Sequence, residues 1–216
     1  MAKDRQVTEQ RLLQAVGNIV REKGFSALGV NAVAQQAGVS KMLIYRYFDS
    51  YEGLLKEWIL RHNFWAEVTG QTLEQIRGQS ESGTSRTEQQ YGSILRSLFN
   101  QQADSLRESS TRREVLRWML AEETEVSRQV MQQVEEMGLS ISKAFRARIS
   151  SERDLEAAVG VLIGGIYYLA LISDRTDVFN GVDLHSDEGW ARIKGSIDLM
   201  IELLVGNKEF DKKSKE

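Results

Sequence analysis

Lys41 and Arg46 stand among Met42, Leu43, Ile44, Tyr45, Tyr47 and Phe48 in the run GVSKMLIYRYFDS, residues 38–50. Fixed cations, phenolic hydroxyls and flexible apolar surface in so short a stretch suit a partner that is anionic and apolar at once. Ser40 adds a helix N-cap, where free backbone N–H groups favour an anion. Other chemistries are poorly served. The chain has no cysteine, which excludes disulfides, thiolate metal sites and a cysteine nucleophile. His62 and His185 are far apart and outside any ligand-spaced cluster, so neither a zinc site nor a His-based catalytic centre is expected. There is no glycine-rich phosphate loop. The carboxylate pairs Glu122/Glu123 and Glu135/Glu136 fall on helix faces read as exposed. The chain is read as a non-enzyme without metal or cofactor.

The elements that must position these residues are helical. The 216 residues include no proline, where an average protein has about 5 %, which favours long uninterrupted helices. Leu12, Ala15, Val16, Ile19 and Val20 recur at helical spacing until Gly24 stops the run. Val30, Val33, Ala34 and Ala37 form a second, short stripe ending at Gly38. A third helix runs from Ser40 to about Phe48. Ser50 can cap a long fourth, over residues 50–76. Further helices are expected at about 86–106, 110–121, 123–149, 152–175 and 188–205. Residues 78–87 and 173–189 read as loops. No segment alternates with period two for long enough to argue a sheet. The expectation is an all-α chain of about nine helices, with an N-terminal domain over residues 1–50, a helical domain over 51–206, and a charged tail over 207–216 that is expected to be disordered.

On a wheel of about 100° per residue, Ile44 and Phe48 share one side of the third helix, with Tyr47 at its edge. Met42, Tyr45 and Arg46 fall opposite, with Leu43 at the border. Met, Leu and Tyr side by side on an exposed face mark an interface. Ala34, Gly38 and Ile44 then have the spacing of a helix-turn-helix: a small residue at the crossing, a glycine for a left-handed turn, a branched apolar plug. Residues 1–50 hold seven Lys/Arg against four Asp/Glu, while the rest of the chain is net negative. Together these features make a DNA-reading head.

The run GFSALGVNAVAQQAGVSKMLIYRYFDSYEGLL resembles the DNA-binding domain of the TetR family of transcriptional regulators, over about residues 8–58. The resemblance lies in Gly24, the AxxAGVS turn (Ala34, Ala37, Gly38, Val39, Ser40), the Tyr45 and Phe48 of the third helix, and Asp49–Ser50 before Leu54 and Leu55. It implies phosphate contacts from Ser40, Lys41, Tyr45 and Tyr47, and a groove-facing role for Arg46. Met42 and Leu43 depart from the family's usual small or polar residues. Leu28 and Gly29 stand where Thr or Ser is frequent, Asn31 where a basic residue is, and Tyr51 where lysine is. Asn31, Met42, Leu43 and Tyr51 complete the candidate DNA-binding set.

Residues 157–172, AAVGVLIGGIYYLALI, carry no charge. They are short of the roughly 20 residues of a membrane span, so a helix covered on every side is expected, with no membrane partner. Gly160 and Gly164 share a face that admits close approach. With Ile193, Ile197, Met200, Ile201 and Leu204 of the last helix they form the candidate homodimer interface. By analogy with the family a ligand pocket is expected in the helical domain, with Trp65, Phe99, Trp118, Met119, Glu122, Phe145, Tyr167 and Tyr168 as candidate lining. The polar N-terminus has no signal-peptide pattern, and a cytoplasmic location is expected. The resulting expectation is a ligand-responsive repressor that binds palindromic double-stranded DNA as a homodimer, released by a small-molecule effector. The alternative is a helical small-molecule-binding or interaction protein whose N-terminal domain no longer binds DNA.

Overall fold

A computed structural model describes residues 2–61, 64–77, 87–149 and 154–205, with the side chains of 4–61 and 68–77 within the first two spans. Among these residues the chain is helical throughout, apart from one small hairpin. Ten α-helices follow in order: α1 (Ala2–Lys23), α2 (Val30–Ala37), α3 (Met42–Phe48), α4 (Tyr51–Arg61), α5 (Phe64–Arg77), α6 (Glu88–Glu108), α7 (Ser110–Ala121), α8 (Glu125–Arg146), α9 (Leu155–Ile172) and α10 (Asp187–Val205). A 3-10 turn, Phe25–Ala27, follows α1. The long helix expected over 50–76 corresponds to α4 and α5, on either side of residues 62–63, which lie outside the described residues. The loop expected over 173–189 contains strands β1 (Val178–Phe179) and β2 (Val182–Asp183), paired antiparallel. Asn180 and Gly181 both have positive φ, the turn geometry that joins such short strands.

The helices form two compact units, residues 1–64 with 109–135, and residues 65–108 with 136–216. The first therefore includes α4, α7 and the start of α8, which the sequence reading assigned to the helical domain. Its core joins Leu12, Val16, Ile19 and Val20 of α1 to Val33 and Ala37 of α2, Ile44 of α3, Leu54, Trp58 and Ile59 of α4, and Val126 and Val130 of α8. Phe25 bridges elements distant in sequence: its ring stacks on Trp118 at 5.2 Å and meets Trp58 edge-on at 6.1 Å. Lys56 Nζ donates to Gln129 Oε1 at 2.7 Å, linking α4 to α8. Thr124 and Ser127 cap α8 reciprocally, each backbone N–H donating to the other's hydroxyl.

In the second unit α6 and α10 run antiparallel. Asn100 Nδ2 donates to Asp198 at 3.0 Å, Lys194 Nζ to Asp104 at 2.8 Å, and Arg107 to Asp187 at 2.6 Å. Trp190 is fully buried, and its indole N–H donates to the Leu184 carbonyl at 2.7 Å. At the start of α10, a Cβ on Gly189 would lie 1.7 Å from the Asp183 carbonyl oxygen, so only glycine fits there.

Candidate nucleic-acid interface

The turn between α2 and α3 is built from backbone geometry. Gly38 is left-handed (φ 65°, ψ 38°), its N–H reaches the Gln35 carbonyl at 3.1 Å, and the Val39 N–H reaches Ala34 at 3.0 Å. That pair of bonds satisfies the last carbonyls of α2. Arg11 of α1 donates to the Ala37 carbonyl at 2.7 Å, placing a cation at the negative end of α2. At the other end of α2, Gly29 has extended backbone and offers no capping side chain.

Ile44 plugs α3 onto this scaffold and is fully buried. The opposite side of α3 is open: Met42 is 66 % exposed, Tyr45 46 %, and Lys41 and Arg46 are exposed as well. Leu43 and Tyr47 are half-buried. The N-cap position expected for Ser40 is held by Lys41; Ser40 lies two residues before Met42, and its hydroxyl meets the Met42 N–H at 3.4 Å. Asn31 is exposed on α2.

The exit from α3 is as constrained as its entry. Asp49 has a positive φ of 64°. Ser50 donates its N–H to the Phe48 carbonyl at 2.7 Å, and its hydroxyl accepts from the Gly53 N–H at 2.9 Å. A Cβ at position 53 would fall 2.1 Å from the Phe48 carbonyl oxygen. Gly53 is therefore required for α4 to start so close to the end of α3. Tyr51 is half-buried here; burial, with Glu52 adding, pushes its phenol up to about 12, so it remains a hydrogen-bond donor at neutral pH.

One neighbour of α3 was not foreseen. Arg5 of α1 lies with its guanidinium carbon 5.2 Å from the centre of the Tyr47 ring, while its Nε donates to Glu9 at 2.6 Å. Nothing in the local pattern of either helix links residues 5 and 47; only the packing of α1 on α3 does.

The remaining candidates divide sharply. Trp118 and Met119 pack against the core of the first unit, and Glu122 is exposed beyond the end of α7. Phe99, Phe145 and Tyr167 belong to the second unit, the phenylalanines fully buried and the Tyr167 phenol raised by burial. The lining candidates are thus distributed over both units. Tyr168 is half exposed on α9, edge-on to Phe179 at 5.3 Å. The Trp65 side chain lies outside the described residues.

In the dimer set, Ile193, Ile197 and Ile201 are corrected: they are buried within their own unit, where α10 packs on α6. Leu204 is half-buried. Met200 is exposed, and beside it on α10 so are Leu199 and Leu203. Gly160 and Gly164 face open space, since an added Cβ would meet nothing within 4 Å. Val161, 76 % exposed, continues that face. The expectation that α9 is covered on every side therefore fails within one chain: Leu162, Ile166 and Ala170 are buried, and the opposite stripe is bare.

Residues 13–58 match the family model for bacterial regulatory proteins, tetR family. No curated protein matches the chain in sequence. Solved structures match nearly its whole length. The regulator FadR from Bacillus subtilis, in complex with stearoyl-CoA, is 19 % identical, with 89 % of this chain and 97 % of that one covered, at a TM-score of 0.59. NalD of Pseudomonas aeruginosa, secondary repressor of a multidrug efflux pump, is 19 % identical, with 90 % and 95 % covered, at 0.62. FadR of Thermus thermophilus, a TetR-family repressor in complex with lauroyl-CoA, is 18 % identical, with 88 % and 93 % covered, at 0.53. The match at 13–58 spans the helix-turn-helix built above, and the fold of the whole chain is that of these regulators. The chain is accordingly a DNA-binding transcriptional regulator with the N-terminal domain of the tetR family.

Proposed function

We propose that the protein is a ligand-responsive repressor that binds a palindromic operator as a homodimer. The observation that carries the DNA-binding part is the outer face of α3. Met42, Tyr45 and Arg46 are exposed there beside Lys41, on a helix held by a buried Ile44 and by turns of fixed geometry at both ends. Lys41 and Ser40 sit where a phosphate meets the start of the helix. Arg46 has the fork geometry to pair with guanine in the major groove. Tyr45 and Tyr47 donate to phosphate oxygens, and Met42 and Leu43 offer apolar contact to thymine methyl groups. Ser40, Asn31 and Tyr51 rim this face.

One helix of seven residues, α3, reads few base pairs, and two-fold symmetry doubles the site. The bare stripe of α9, with Met200, Leu199 and Leu203 of α10, supports self-association. It carries no charge between residues 157 and 172, and its glycines leave room for a second helix. Among the described residues, α9 alone passes for a membrane span by length and composition. Its other side is packed on α6 and α10 of the same chain, which favours a protein partner over lipid.

Repression is relieved by linkage. The α4 helix shares a core with the reading head, so a small molecule that prefers one arrangement of the helices leading into α4 changes how the two α3 helices present themselves. A coupling of about 1–3 kcal/mol gives a roughly 5–150-fold response. The acyl-CoA complexes of two structural neighbours make long-chain acyl-CoA the first effector class to try. The DNA-binding reading is tested by gel shift of the full chain on duplexes over a range of salt. Binding that weakens steeply with salt is expected; no binding to any duplex at low salt would leave the protein as a ligand or interaction module.

A further inference from the structure

Tyr47 is held from two directions. One side packs against the buried core of the first unit, and Arg5 lies over the ring at 5.2 Å. Arg5 is itself held: Glu9, one turn further along α1, accepts its Nε–H at 2.6 Å. Glu9 and Asp49 are the acidic groups close enough to act on the guanidinium. Neighbouring Tyr45 has no such clamp and stands out from α3, 46 % exposed.

We propose that Arg5 is a positioning residue for DNA binding: lying over Tyr47 and tethered by Glu9, it fixes the ring and so the point at which the Tyr47 hydroxyl meets the DNA backbone. This rests on the reading of α3 as the DNA-contacting helix. The physical reason is pre-organisation. A tyrosine already confined to one orientation loses less freedom when its hydroxyl is captured. A guanidinium held over the ring by its bond to Glu9 supplies that confinement. Because Glu9 already neutralises Arg5, the residue acts through the ring and not as a separate phosphate-binding cation.

The test is a gel-shift cycle on the full-length protein with one duplex that the wild type binds, using Arg5→Ala, Tyr47→Phe and the double variant, each checked for folding by circular dichroism. Tyr47→Phe keeps the ring and removes the hydroxyl. Arg5→Ala is expected to weaken binding about two- to fivefold, with the salt slope unchanged. In the Tyr47→Phe background the same change is expected to cost nothing further. Independent, multiplying losses, full affinity in Arg5→Ala, or a salt slope reduced by about one would each overturn the proposal; the last would make Arg5 a direct phosphate contact. Those results leave the DNA-binding reading standing. A wild type that binds no duplex overturns both. Should Arg5→Ala fail to fold, Glu9→Ala releases the tether without removing the guanidinium, and an unchanged affinity there overturns the proposal.

Discussion

Two surfaces of this molecule expose large apolar side chains, and they differ in what is mixed with them. On α3, Met42 and Tyr45 stand with Lys41 and Arg46 within six residues. On α9, Val161 and Tyr168 are flanked by glycines and alanine, with no charge after Glu156. Exposure alone marks both as interfaces. The admixed charge separates them. A polyanion needs cations and donors beside the apolar contacts, whereas a second copy of an uncharged face must meet no unpaired charge. The supports differ too. The α3 helix is short and presented by turns that only particular backbone conformations allow. The α9 helix is long and needs one packed side.

This contrast can be broken by experiment, most severely at α9. Val161→Glu puts a carboxylate on the bare stripe; burying it unpaired costs several kcal/mol, about 3–5. Sedimentation is expected to change from dimer to monomer, with Gly164→Leu doing the same by bulk. A dimer that survives both places the self-association surface elsewhere. The corresponding structural break at the head is Gly53→Ala. A methyl group driven into the Phe48 carbonyl is expected to cost about 2 kcal/mol or more in urea unfolding and to weaken DNA binding while leaving the dimer intact. Unaltered stability would mean that the α3–α4 junction adjusts freely.

Finer substitutions sharpen the division of labour within α3. Arg46→Ala is expected to cost about 1–3 kcal/mol on the preferred site and to relax sequence preference there. Equal losses on every duplex would demote it to a backbone contact. Lys41→Ala is expected to weaken all sequences alike and to reduce the salt slope by about one. A sequence-dependent loss would turn it into a base reader.

How far the sequence reached follows the same contrast. The wheel over 40–48 put Ile44 inside and Met42, Tyr45 and Arg46 outside, and the left-handed Gly38 was written in the Ala34–Gly38–Ile44 spacing. All of this is local geometry, dictated within residues 34–48. The last helix shows the limit. Its apolar residues make two stripes: Ile193, Ile197 and Ile201 face their own unit, while Leu199, Met200 and Leu203 face outward. Periodicity finds an apolar stripe, but what covers it is decided by α6, nearly a hundred residues earlier in the chain. The lining candidates are spread over both units for a similar reason. An aromatic side chain has the same signature in either unit, and Trp118 is drawn to Phe25 by tertiary packing alone. The small hairpin had a legible signal in Asn180–Gly181, but two-residue strands are too short to alternate. The Arg5–Tyr47 contact joins residues 42 positions apart and left no local trace.

The central claim is that the outer face of α3 reads DNA as a two-fold pair. Selection of bound duplexes from a random pool by the full-length protein tests it most directly. An enriched palindrome is expected, its half-sites about one helical turn or a multiple apart, with Arg46→Ala losing preference at one symmetric position in each half. Enrichment of no sequence, or of a single unrepeated half-site, would contradict it.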